Sequence, residues 1–238
     1  MTGLVCLQGG GEFSQGCREM DALLLERAAG PVVVSALAGA VGREHDTANG
    51  NGVRHFRGLG ADVEAATDVR TDPDGALAAL RRARLLVLPG GSPSRLLGLL
   101  QTTGVGAVVR DLLASGGVVS GSSAGAMVLC GWTVRPDRGP DVVAGLGVVP
   151  GALVLPHWDG GRADWLRAVR RAVPPGTVLL GVPEESGVLV EGTRLTGVGR
   201  ASTSLIGSDR AVDVGATVEA AVGTPADTAA AAATDPGA

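Results

Sequence analysis

Short apolar runs alternate along the first half of the chain with longer stretches of helical periodicity. This alternation constrains the fold strongly, because strand and helix in repeated succession build a parallel sheet with helices on both faces. The runs are continuously apolar, as expected for strands covered on both sides. The predicted strands are Leu4–Leu7, Pro31–Ala36, Ala61–Ala65, Leu85–Leu88 and Val118–Ser120. The predicted helices are Gln15–Ala29, Ala48–Leu59, Asp74–Arg82 and Pro93–Ala114.

The pattern changes after about residue 176, where short strands follow one another with turn signals between them. They predict a terminal antiparallel extension of the same sheet, and they are Thr177–Val182, Gly187–Val190, Leu195–Val198 and Ser202–Ile206. We therefore expect one doubly wound, mostly parallel α/β domain over residues 1–215, a size that suits a single domain. The Ala-rich tail over residues 216–238 has nothing large to pack, so we expect it to be disordered.

Charge and composition exclude several classes of protein. The net charge of -4 argues against a nucleic-acid partner, which usually requires a basic surface. No apolar run reaches the ~18–20 residues of a membrane span, and the N-terminus has no cationic segment before an apolar stretch. The three scattered cysteines fit neither a disulfide framework nor a zinc site. We expect a cytoplasmic protein without a membrane partner, and both a monomer and a homodimer are compatible with the sequence.

The strongest chemical signal is a G-x-S-x-G sequence, Gly121 to Gly125, between a predicted strand and a helix-forming stretch. This arrangement places a nucleophilic serine on a tight strand-to-helix turn. Ser123 would stand in a strained backbone conformation with its hydroxyl exposed, and the N–H of Ala124 could donate to an oxyanion. The same residues also occur in ordinary glycine-rich turns, so the motif needs partners. We expect the neighbouring Ser122 to hydrogen-bond locally.

A nucleophilic serine needs a general base, and His157 is the best placed of the three histidines. It follows an apolar run that ends at Pro156, so it lies at a strand end, where α/β proteins bind ligands. A structural role is equally compatible with this spacing. His45 and His55 lie in a polar helical stretch, where we expect them to be solvated or loosely packed.

An orienting carboxylate and a second oxyanion donor would complete such a site. Glu184 follows a predicted strand, but the spacing does not separate it from its competitors, which are Glu185, Asp137, Asp141 and Asp159. Gly91 also follows a strand, and without Cβ its N–H can approach a substrate closely. Gly9–Gly11 leaves further backbone at the same edge. Both glycine clusters are also typical of turns that bind nothing.

Taken together, six segments resemble the cyanophycinase and aspartyl dipeptidase family of serine peptidases, which has a class I glutamine amidotransferase-like fold. They occur in the family's order and span about residues 3–207; they are Leu7–Phe13, Val53–Gly60, Leu88–Gly91, Gly121–Met127, Leu155–Trp158 and Gly181–Glu184. The resemblance implies a serine peptidase that hydrolyses small peptides and needs neither a metal nor an organic cofactor.

The resemblance also implies site residues. Ser123 would be the nucleophile, His157 the general base and Glu184 the third member of the triad, with Gly91 and Ala124 forming the oxyanion hole. Some descriptions of the family instead give the third position of the triad to an acidic residue 15–18 positions after the serine. The residues nearest that spacing keep two alternatives open for the acid, Asp141 and Asp137.

Substrate preference is implied less directly. Members of the family favour acidic residues, Asp-X dipeptides in one branch and a β-aspartyl-arginine polymer in another, so a cation must hold the substrate carboxylate. Arg162 is the best-placed arginine in sequence, although a surface role is equally compatible. Trp158 stands where the family usually has Phe, and we expect it to contact the substrate. Two alternative functions remain open: the chain is an esterase or amidase, or it is a non-catalytic binding protein.

Overall fold

The computed structural model describes residues 3–136, 141–161 and 163–223. Its strands are β1 (Leu4–Gln8), β2 (Val32–Val34), β3 (Val63–Ala65), β4 (Leu85–Leu88), β5 (Val118–Ser122), β6 (Trp132–Arg135), β7 (Asp141–Ala144), β8 (Ala152–Pro156), β9 (Val178–Val182), β10 (Ser186–Glu191), β11 (Arg194–Gly199), β12 (Thr203–Ile206), β13 (Arg210–Val212) and β14 (Thr217–Glu219). Its helices are α1 (Arg18–Ala28), α2 (Arg43–Arg57), α3 (Pro73–Arg82), α4 (Pro93–Thr102), α5 (Val105–Ala114), α6 (Ala124–Leu129) and α7 (Ala163–Ala172).

The main sheet confirms the predicted doubly wound α/β fold. Its strand order is β14-β11-β10-β1-β5-β4-β2-β3. The five strands from β1 to β3 are parallel neighbours, whereas β10, β11 and β14 extend one edge in antiparallel pairing. Because the parallel strands share one direction, the ends of β1, β4 and β5 lie next to each other at a single edge.

Alternate side chains of the central strands enter two separate cores, as the two-residue period of a strand requires. On β1, Val5 and Leu7 join the core that contains α3 to α6. Leu4 and Cys6 join the core that contains α1 and α2. Both faces of the sheet are therefore covered, which explains why the predicted strands read as continuous apolar runs.

The C-terminal strands divide between two sheets. Strands β10 and β11 form the predicted antiparallel extension of the main sheet, whereas the prediction that Thr177–Val182 and Ser202–Ile206 also join it was wrong. Strands β9, β12 and β13 join β8 in a second, four-stranded sheet in which β8 and β9 are parallel. The chain crosses between the sheets at Pro183–Glu185. Pro183 has no N–H to donate to a ladder, and Glu185 has a φ of 54°, so β9 cannot continue through this segment.

Two other boundaries differ from the prediction. The stretch Pro93–Ala114 is not one helix but two, α4 and α5, bent by 80° at Thr103–Gly104. Within the described residues no single helix is long and apolar enough to cross a membrane; only this bent pair meets the length and composition together. Strand β14 lies beyond residue 215, where the sequence had placed the end of the domain. Most of the predicted tail, residues 224–238, lies outside the described residues.

Candidate active site

The G-x-S-x-G segment forms the predicted turn between β5 and α6. Ser123 has φ 49° and ψ -109°, a conformation that non-glycine residues rarely adopt and that is found at functional sites. A Cβ on Gly121 would come within 2.5 Å of the Gly125 carbonyl carbon, and one on Gly125 within 2.1 Å of the Leu88 oxygen. Neither position has room for a side chain, so both glycines are required for the close passage of strand and helix.

Three side chains form a continuous hydrogen-bonded chain at this turn. The Ser123 Oγ lies 2.9 Å from His157 Nε2, and His157 Nδ1 lies 2.9 Å from Glu184 Oε1. An imidazole protonated on Nδ1 satisfies both contacts, since it donates to the carboxylate and accepts from the hydroxyl. His157 is 41% exposed and Glu184 63% exposed in their side chains, so the site is open to solvent. The arrangement allows a base to take a proton from Ser123 while a carboxylate orients the base.

Backbone contacts with the glycine segment after β1 hold the base and the acid in place. The N–H of His157 donates to the Gly9 oxygen at 2.8 Å, and the N–H of Glu185 donates to the Gly10 oxygen at 2.9 Å. A Cβ on Gly10 would come within 2.3 Å of His157 Cε1. His157, with φ 51°, is itself in the left-handed region, as Glu185 is. The sequence predicts that these glycines form a turn or leave backbone at the sheet edge. It does not indicate that they support the imidazole of His157.

The two predicted oxyanion donors lie next to the nucleophile. The Gly90–Gly91 loop follows β4 and lies against Ser123, since a Cβ on Gly90 would be 3.3 Å from the Ser123 Cβ. Gly91 has φ 139°, and Ala124 is the first residue of α6. Within the described residues, neither the N–H of Gly91 nor that of Ala124 donates to a protein acceptor. Both N–H groups are thus available to a ligand oxygen.

The other acidic candidates that the structure describes bind partners other than His157. Asp141 pairs with Arg135 across the β6–β7 hairpin. Asp159 accepts the N–H of Gly161 at 2.8 Å within a local turn. Glu185 accepts from the Ser14 hydroxyl at 2.7 Å and from Arg200, and these two hydrogen bonds hold its pKa below the ordinary value. Asp137 and the predicted substrate-binding residue Arg162 lie outside the described residues.

Trp158 packs into the protein next to the site. Its ring lies over Gly181 of β9, whose Cβ would come within 2.7 Å of the ring carbons. It also contacts the apolar cluster between the second sheet and α7, which includes Leu153 and Val169. This packing accounts for a large residue at this position, and a contact between Trp158 and substrate stays a prediction.

Three expectations about neighbouring side chains were wrong. Ser122 does not hydrogen-bond locally but donates to Glu12 Oε2 at 2.9 Å, 110 residues away in sequence. His55 is buried, with its Nε2 2.8 Å from Asp21 Oδ2. His45 is buried as well and hydrogen-bonds Asn49. A helix that is polar in sequence therefore carries both of its histidines on the face that packs against the sheet.

The three cysteines are poorly placed for nucleophilic chemistry. All three cysteines are buried and free. Cys130 lies directly after α6, and burial raises its pKa to about 12, so it stays protonated and unreactive at neutral pH. Across the part of the chain that the structure describes, no group of three or more His, Cys, Asp or Glu side chains could hold a metal ion.

A serine, an imidazole and a carboxylate in this order, beside free N–H groups at the edge of an α/β sheet, define the class of serine hydrolases. Comparison with known proteins narrows the class. The model of peptidase family S51 matches residues 22–198. The chain belongs to this family, and it is a serine-type peptidase.

Individual relatives agree with this assignment. The cyanophycinases of Trichormus variabilis and Nostoc sp. are each 26% identical to the chain over 200 residues, which cover 79% of the chain and 67% of each relative. A solved peptidase from an acI-B1 Actinobacterium superposes with a TM-score of 0.79 at 23% identity, covering 92% of this chain and 97% of its own. A Listeria monocytogenes structure described as a candidate peptidase E gives 0.64 at 16% identity, covering 84% and 100%. The two structures support the fold alone.

Proposed function

We propose that the chain hydrolyses small peptides through a Ser123–His157–Glu184 triad. Ser123 Oγ attacks the scissile carbonyl while His157 Nε2 takes its proton, and the resulting imidazolium is stabilised by Glu184. The imidazolium then protonates the leaving amine, and the acyl-enzyme is hydrolysed by water that the same base activates. The observation that carries the proposal is the pair of 2.9 Å contacts linking the three side chains.

The N–H groups of Gly91 and Ala124 are the proposed oxyanion donors. Gly91 belongs to a loop that is packed against Ser123 and Ala38, and Ala124 is the first residue of α6. Within the described residues these N–H groups make no hydrogen bond to the protein, so they can bind the negative oxygen as it forms without reorganisation of the site. Loss of one such donor in a serine peptidase costs about 10²–10³-fold in kcat.

We further propose that the substrate carries a carboxylate next to the scissile bond, as the β-aspartyl and aspartyl substrates implied by the resemblance would. A groove of about 580 Å³ is lined by Gly11 and Glu12 at one end and by Arg18 and Arg54. A Cβ on Gly11 would lie 3.7 Å from the Glu184 Cβ, which places this end of the groove near the acid of the proposed triad. Arg18 donates to the Gly58 carbonyl and Arg54 to the Asn51 amide oxygen. Within the described residues neither guanidinium forms an ion pair, so both retain donors for an anionic ligand.

A panel of matched substrates tests this function. Asp-X dipeptides are compared with Asn-X dipeptides, and both with the corresponding esters and amides, using wild-type protein and the Ser123→Ala variant. We expect Ser123→Ala to abolish hydrolysis and wild type to prefer Asp over Asn. Cleavage of esters without any cleavage of peptides would instead favour the esterase alternative, and equal kcat/KM for Asp and Asn would reject the acidic preference.

Variants of the groove separate its role from general electrostatics. Arg18→Gln and Arg54→Gln each remove one charge from the groove, whereas Arg57→Gln removes an exposed charge on α2 outside it. Charge-assisted hydrogen bonds contribute roughly 1.5–3 kcal/mol, so we expect at least one groove variant to lower the Asp/Asn preference about tenfold. Arg57→Gln should leave the preference unchanged. If all three variants behave alike, the groove does not select the carboxylate.

A further inference from the structure

The carboxylate of Glu12 connects the two segments that carry the proposed oxyanion donors. Its Oε1 accepts the backbone N–H of Gly90 at 2.9 Å. Its Oε2 accepts the hydroxyl of Ser122 at 2.9 Å. Gly90 immediately precedes one proposed donor, Gly91, and Ser122 immediately precedes the nucleophile. One side chain thus spans from the loop after β4 to the end of β5.

The Gly90–Gly91 loop has a second anchor at Ala38. On its far side the N–H of Ser92 donates to the Ala38 oxygen at 3.0 Å, and a Cβ on Gly91 would be 2.7 Å from that same oxygen. Glu12 therefore holds the loop on the side of the nucleophile, and Ala38 holds it on the opposite side. Gly91 lies between the two anchors with its N–H free. The direction of that N–H depends on both of them.

We propose that Glu12 is a positioning residue that aligns the Gly91 N–H with Ser123 for oxyanion binding. The inference rests on the proposed function, because it presupposes that Ser123 is the nucleophile. Glu12 does not touch the reacting atoms in this arrangement. It sets the distance between the Gly90 peptide and the nucleophile turn by two hydrogen bonds made at once.

The chemistry of the two contacts predicts what matters about Glu12. Gly90 can only donate, so Glu12 must present an acceptor to it, while the Ser122 hydroxyl can donate or accept. A glutamine can satisfy both, since its oxygen accepts from Gly90 and its amide nitrogen donates to Ser122. An aspartate keeps the charge but is one methylene shorter and cannot bridge both partners. A negative charge beside a developing oxyanion is itself unfavourable, so the bridge rather than the charge should sustain activity.

Three substitutions of Glu12 therefore test the proposal, because it predicts how their kcat values should rank. For Glu12→Ala we expect kcat to fall about 10–100-fold with KM raised less than about threefold, because the oxyanion forms only after Ser123 attacks and is absent from the bound substrate. Glu12→Gln should recover most of that loss, and Glu12→Asp should remain close to Glu12→Ala. The labelling rate with a fluorophosphonate probe should follow kcat, since its phosphoryl oxygen occupies the same hole.

Two controls guard against a simple folding defect. Glu64→Ala removes a glutamate that pairs with Arg82 on the surface and should leave kcat unchanged. In a Ser123→Ala background, Glu12→Ala should not weaken the binding of a substrate dipeptide by more than about twofold, because ground-state binding does not use the oxyanion hole. Since Glu12 also lines the groove, loss of its negative charge should if anything favour an anionic ligand. A general disruption of the site would weaken that binding as well and would overturn the positioning role.

Other outcomes also overturn the inference. Wild-type kcat in Glu12→Ala would show that the bridge is not needed. Full activity in Glu12→Asp, with Glu12→Gln as poor as Glu12→Ala, would show that charge and not the bridge matters. Both results presuppose an active wild type, so they reject the role of Glu12 alone. A wild-type protein that neither hydrolyses peptides nor labels would reject the proposed function and this inference together.

Discussion

Replacing Gly10 by alanine should displace the imidazole of His157 without substituting any member of the proposed triad. The added Cβ would come within 2.3 Å of His157 Cε1 and 2.6 Å of Nδ1. Ordinary contacts begin near 3.4 Å, so the ring must withdraw by about 1 Å. The two contacts at 2.9 Å that join His157 to Ser123 and Glu184 cannot both survive such a shift.

The expected loss of activity follows from this displacement. A misplacement of about 1 Å costs on the order of 10²-fold in rate, and complete loss of general-base catalysis costs up to about 10⁴-fold. We therefore expect Gly10→Ala to lower kcat/KM by 10²–10⁴-fold. The assay is steady-state hydrolysis of the preferred dipeptide, together with the labelling rate of Ser123 by a fluorophosphonate.

Gly10 has φ 129°, so alanine is also strained there, and a matched control is needed. Gly60 has φ 87° and no atom within 4 Å of its hypothetical Cβ. Gly60→Ala should therefore lower the melting temperature through backbone strain but leave kcat/KM at the wild-type value. Wild-type hydrolysis and labelling in Gly10→Ala would refute the reasoning, because the imidazole would then tolerate a displacement that the proposed mechanism forbids.

Further predictions concern stability and reactivity. Asp21→Ala removes a hydrogen-bond partner from each of the buried side chains of Gln8 and His55 and should lower the free energy of unfolding by about 1–3 kcal/mol in urea denaturation. Burial alone would raise the pKa of Asp68, but hydrogen bonds from Arg70 outweigh it and lower the pKa. The stability from this pair is present above the carboxyl's ordinary pKa and is lost as pH falls through the lowered folded value, so the difference in melting temperature between wild type and Asp68→Asn should vanish in acid. The three buried cysteines should resist iodoacetamide in the native protein, alkylate only after unfolding, and leave hydrolysis unaffected by the reagent.

The parts of the fold that sequence predicts are those with a local signal. Continuous apolar runs marked β1, β4 and β5, and small residues around Ser123 marked the turn to α6. The break between α4 and α5 also has a local signal, the sequence Thr102-Thr103-Gly104. The apolar periodicity on both sides of it favours a single helix, which is why the sequence alone predicts no break. These features depend on residues close together in the chain, which is why pattern and propensity suffice for them.

The features that sequence missed depend on pairing between distant segments. Nothing near Ser122 indicates that its hydroxyl meets Glu12, 110 residues earlier. Nothing around His55 indicates that it is buried and paired with Asp21. The division of the C-terminal strands between two sheets likewise depends on which partner each strand finds. In the candidate site the strand ends indicated His157, but spacing alone could not separate Glu184 from the other acids.

The most direct test of the account is the site of covalent labelling. Wild-type protein is treated with a fluorophosphonate under native conditions, digested and mapped by tandem mass spectrometry, with Ser123→Ala treated in parallel. The account predicts one adduct, on Ser123, and none in the variant. An adduct on Ser120 or Ser122, or labelling that persists in Ser123→Ala, would contradict the claim that Ser123 is the nucleophile of this peptidase.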